Sequence, residues 1–99
     1  MRLSEAHIQS IRLLALQVAG EQARVRVFGS RLDDTARGGD LDLMLEVGEP
    51  VENPALLSAR LAARVSRAMN GRKVDVLVCA PNLKRLPIHE IAFSEGQLL

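Results

Sequence analysis

Ninety-nine residues are the length of one domain, and 47% hydrophobic with 25% charged residues is ordinary for a soluble globular chain and excludes a disordered one. A net charge of +1 makes no case for nucleic acid, and two phenylalanines with no tryptophan or tyrosine leave little for stacking on bases, so direct nucleic-acid binding is not expected. The single cysteine, Cys79, rules out an internal disulfide, and no apolar run approaches the ~20 residues of a membrane span.

The start M-R-L-S-E-A-H-I-Q-S carries no signal-like pattern, so the expected compartment is a reducing cytoplasm. From Ser4 to Ala19 the spacing of Ile8, Ile11, Leu14 (or Leu13) and Val18 predicts a helix, with Ser4 as N-cap and Gly20 at the stop. His7, in its first turn, reads as a surface histidine.

R-V-R-V-F, Arg24 to Phe28, alternates charged and apolar residues and predicts a strand with one buried face. It breaks at Gly29-Ser30, where a glycine allows close backbone approach and a serine can cap a turn whose N–H groups face an anion. Arg31 can reach a phosphate or pair with Asp33 or Asp34, and the sequence leaves both open. Gly38-Gly39 then swings the chain into a second strand, D-L-D-L-M-L-E-V, opening on Asp40.

Asn53-Pro54 is a good N-cap and N1 pair for a helix carrying Leu57, Leu61, Val65 and Met69 on one face, ended by Asn70-Gly71. Its opposite face holds Arg60, Arg64 and Arg67, a solvated row that could also dock a partner. Lys73 to Cys79 predicts a third strand, with Val74, Val76 and Val78 on one side and Lys73, Asp75 and Leu77 on the other. Pro87 opens a last helix, Ile88 to Glu95, stopped by Gly96 before a short Q-L-L tail that could form an edge strand. His89 and Glu90 in its first turn read as surface residues.

The chemistry concentrates in the carboxylates. Strand side chains alternate, so Asp40 and Asp42 share a face while Leu41, Leu43, Leu45 and Val47 take the other. Asp75 interrupts a run of valines, where a charge is expensive unless paired, solvated or bound to a metal. The charge distribution agrees: Phe28 to Pro50 holds six acids against two arginines, whereas Arg60 to Lys73 holds five bases and no acid. Three carboxylates on neighbouring strands suit a hard cation such as Mg²⁺, with phosphate oxygens completing its shell. In a two-metal version Asp40 and Asp42 bridge both ions, about 3.5–4 Å apart, and Asp75 holds the ion beside an attacking hydroxyl. Gly29 and Ser30 would hold the outgoing pyrophosphate.

The succession G-S, D-L-D and a later acid in an apolar strand resembles the nucleotidyltransferase fold of the polymerase β superfamily, over nearly the whole chain. More narrowly, F-G-S-R-L-D-D-T-A-R-G-G-D-L-D-L and the closing I-H-E-I-A-F-S-E-G-Q-L-L look like the minimal nucleotidyltransferase (MNT) proteins encoded beside HEPN ribonuclease toxins. The resemblance implies one α+β domain over residues 1–99: a two-layer nucleotidyltransferase fold with a small mixed β-sheet covered by helices on one face. It implies Mg²⁺-dependent transfer of AMP from ATP to a tyrosine of a HEPN partner, inactivating it as an antitoxin would, in a hetero-oligomer with that partner. Residue by residue, it carries Gly29, Ser30 and Arg31 to nucleotide binding, and Asp40, Asp42 and Asp75 to metal binding and catalysis. Two other readings remain: the same fold neutralising its partner by contact alone, and a transferase for a small molecule, for which so short a chain offers no second pocket wall.

Overall fold

The computed structural model describes residues 3–29 and 40–99. Its elements are α1 (Glu5–Ala19), β1 (Arg24–Phe28), β2 (Leu41–Glu46), α2 (Pro54–Ala68), β3 (Val74–Cys79), α3 (Pro87–Glu95) and β4 (Gln97–Leu98). The helix ends follow the expected capping chemistry. Ser4 Oγ accepts the His7 N–H at 3.1 Å and Asn53 Oδ1 accepts the Leu56 N–H at 3.0 Å, each satisfying a donor that the first turn leaves free.

The strands form one mixed sheet in the order β3-β2-β1-β4. β1 is antiparallel to β2 and to β4, while β2 and β3 run parallel because α2 carries the chain back between them. Period-two alternation then sorts the side chains. Val25, Val27, Leu41, Leu43, Leu45 and Val74 turn to one face and pack under Ile11 and Ala15 of α1 and Leu61 and Val65 of α2. Leu14 joins this core at its margin while Leu13 stays 56% exposed, which settles the alternative that periodicity left open. Ser58 Oγ adds a hydrogen bond to Val76 O at 2.7 Å, tying α2 to the edge strand.

This is the two-layer α+β architecture expected, with α1 and α2 as the helical layer. The other face also gains cover, because β2 carries Met44 between its polar residues and β3 carries Leu77 beyond Asp75. α3 crosses that face, and its Ala92 and Phe93 pack with Phe28, Met44, Leu77 and Cys79. Arg26 and Arg85 lie over the Phe93 ring at 5.1 and 4.2 Å from its centroid, covering it with guanidinium planes.

His89 is not the surface residue expected from sequence. It is 4% exposed, with Nδ1 accepting the Leu86 N–H at 2.9 Å and Nε2 lying 3.0 Å from Val78 O. Because Nδ1 accepts, Nε2 carries the hydrogen and donates to Val78. Leu86 offers no side-chain cap to α3, and the imidazole instead holds the cap residue's own N–H and fastens the helix to β3. Glu90 is exposed as expected and pairs with Arg85 at 3.0 Å. His7 is half-buried rather than a fully solvated surface residue.

Candidate functional site

The acids gather at one end of the sheet because of register. In the parallel β2–β3 pair Asp42 stands opposite Asp75, and in the antiparallel β1–β2 pair it stands opposite Phe28. Adjacent strands lie about 4.8 Å apart, so the Asp42 and Asp75 side chains rise side by side from the face that carries α3. Asp40 sits just before β2 rather than inside it, and Lys73 sits just before β3. Leu41 N–H donates to Lys73 O at 3.0 Å, which brings the two flanking side chains together, and Lys73 Nζ lies 3.4 Å from Asp40 Oδ2.

The electrostatics mark Asp42 as the constrained member. Its carboxyl is held above the usual carboxylate range, first by burial and then by the negative charges of Asp75 and Asp40, while Lys73 pulls the other way. Gly29 explains part of the crowding. It has a φ of +74°, and a Cβ there would run into the Asp42 carboxylate at Oδ2. The glycine therefore serves both a left-handed turn and the close approach of backbone to carboxylate.

Gly29, Asp40, Asp42 and Asp75 thus share one end of the sheet, with Asp42 and Asp75 cross-strand partners and Asp40 drawn to Lys73. Ser30 and Arg31, also expected at the site, lie outside the described residues. Among the described residues no three His, Cys, Asp or Glu side chains are gathered closely enough to form a metal cluster on their own. The donors nevertheless fit a hard divalent cation in type. They are carboxylate oxygens, and the repulsion that raises Asp42 is what a cation would relieve.

Two features escaped the sequence reading. Alternation puts Lys73 on a strand face, yet the parallel register that aligns Val74 with Leu41 also sets it beside Asp40. α3 supplies an apolar wall: Ile88 and Ile91 border a groove of about 420 Å³ that also takes in Phe28, Gly29, Asp42 and Asp75. The i, i+3 spacing of the two isoleucines was visible, but the side of the helix they occupy depends on His89 facing inward.

The elements define a class of fold: a two-layer α+β architecture built on a four-stranded mixed sheet. Among solved structures, a crystal structure of a toxin-antitoxin with AMP-PNP has the same fold, at a TM-score of 0.64 and 17% identity over 97% of this chain and 72% of that chain. No family model and no curated protein matches the chain. Among the described residues no helix is long and apolar enough to cross a membrane.

Proposed function

We propose that this protein is a Mg²⁺-dependent nucleotidyltransferase of the MNT type, an antitoxin that transfers AMP from ATP to a tyrosine of a HEPN ribonuclease toxin. The observation that carries the reading is the Asp42–Asp75 cross-strand pair, set against a glycine whose missing side chain makes room for the Asp42 carboxylate. The fold shared with a toxin-antitoxin structure that holds an ATP analogue supports the same direction.

In this reading Asp40, Asp42 and Asp75 would hold the cation, which would neutralise phosphate charge and supply Lewis-acid activation of the α-phosphate. Gly29 lets the nucleotide approach the backbone. Asp75, exposed on the edge strand, would accept the proton of the acceptor hydroxyl. The hydroxyl oxygen forms a bond to the α-phosphorus, the bond to the bridging α–β oxygen breaks, and pyrophosphate leaves with the electron pair. To hold a cation Asp40 would give up Lys73, a small cost because the Lys73 side chain is largely solvated and that of Asp40 is half exposed.

That ion pair, with the lack of a gathered three-residue cluster among the described residues, is the observation that favours a second reading, neutralisation of the partner by contact without turnover. One experiment separates them. ATP labelled on the α- or, separately, the γ-phosphate is mixed with Mg²⁺, this protein and the partner encoded beside it. α-Label on the partner, absent with γ-label and lost in Asp42→Ala, is the expected result. A stable complex that carries no label rejects catalysis for that partner.

A further inference from the structure

We propose that Ile88 and Ile91 form the acceptor seat of this site, the wall against which the apolar body of the acceptor lies while its hydroxyl reaches the Asp42–Asp75 pair. The assignment rests on the transfer reading above and adds the side from which the acceptor enters and the residues that select it.

Ile88 and Ile91 are 40% and 43% exposed, and three residues apart they stand on one side of α3. His89 and Ala92, on the inner side, are 4% and 0% exposed, so the helix is anchored with its isoleucines left outside. Their groove runs directly to the two carboxylates. Its charged residues among those described are Asp42 and Asp75, and the rest of its lining is apolar apart from Gly29. In the transfer reading the polyphosphate belongs with Gly29, which leaves the isoleucine wall of the same groove to the acceptor. The wall gains free energy in proportion to the apolar area covered, so it favours a hydroxyl carried on a ring over one carried on a single carbon.

The chain's four isoleucines make a direct test possible. Ile8 and Ile11 belong to α1, on the far side of the sheet, and serve as internal controls. With isoleucine methyls labelled for NMR, N-acetyl-tyrosinamide is expected to move the Ile88 and Ile91 signals and leave Ile8 and Ile11 in place, while N-acetyl-serinamide moves none. Methyls of Ile88 and Ile91 that respond to ATP and not to the tyrosine amide would assign the groove to the nucleobase and overturn the proposal. So would no response to either probe. In the transfer assay, Ile88→Ala/Ile91→Ala is expected to raise the KM for the acceptor about 10-fold with the KM for ATP unchanged. Transfer with an unaltered acceptor KM overturns the seat alone, whereas no transfer by the unaltered protein overturns the transfer reading and the seat with it.

Discussion

On the face covered by α1 and α2, β2 presents Leu41, Leu43 and Leu45, each fully removed from solvent. On the opposite face the same strand presents Asp42, Met44 and Glu46, of which Met44 alone is fully buried. One strand thus serves two environments through nothing more than alternation. The first face is closed by two 15-residue helices, the second by a nine-residue helix that leaves the carboxylate end open. The larger core and the candidate site are divided between the two sides of a single sheet, so substitutions on either side should fail in different ways.

The largest effect is expected from Leu43→Ala. It removes buried methyl groups from the centre of the closed face and should cost about 3 kcal/mol in urea unfolding, a large part of what a domain of this size has. On the open face His89→Ala should come next. It strands the Leu86 N–H and the Val78 carbonyl, and a loss of about 2–3 kcal/mol by the same measurement would match.

Gly29→Ala sharpens the contrast, because its cost in stability should be only about 1–2 kcal/mol, from the left-handed backbone. Its cost in transfer should be about 100-fold, because the new methyl displaces the Asp42 carboxylate. Near-normal transfer by a folded Gly29→Ala protein would remove Asp42 from the catalytic arrangement.

Asp42→Asn should go the other way on stability. In the metal-free protein the folded carboxyl titrates above its unfolded value, so between the two the folded state binds the extra proton and stability falls as pH rises. The ionised Asp42 is therefore a small liability at neutral pH that disappears in acid. Asp42→Asn should melt slightly higher than the unaltered protein at pH 7 and equally below about pH 4, the ordinary range of a carboxyl. Its transfer activity should be lost throughout. The smallest effect belongs to the exposed row on α2, where Arg64→Glu should change stability by less than about 0.5 kcal/mol in thermal melts.

Much of the closed face was legible in the sequence because it obeys period and cap rules. Ser4, Asn53-Pro54 and Asn70-Gly71 mark helix ends by local chemistry, and leucines at alternate positions specify a buried face without reference to any distant residue. The meeting of Asp42 with Asp75 was legible only in part. Alternation put each on an open face, but their alignment depends on the register of a parallel pair separated by a whole helix. The role of α3 was not legible. His89 looks like a surface residue until a carbonyl 11 positions away, Val78 O, stands at the distance of a hydrogen bond. The ion pair of Asp40 with Lys73 was hidden for the same reason, since both residues lie outside their strands and meet only through the register between them.

The bond from His89 to Val78 has a geometric consequence. Val78 lies three residues along β3 from Asp75, and His89 lies between Ile88 and Ile91 on α3. The imidazole therefore acts as a gauge block between helix and strand: it sets the width of the opening between the isoleucines and the acid on the edge strand. A histidine buried in the fold thereby fixes the position of the helix that walls the candidate site.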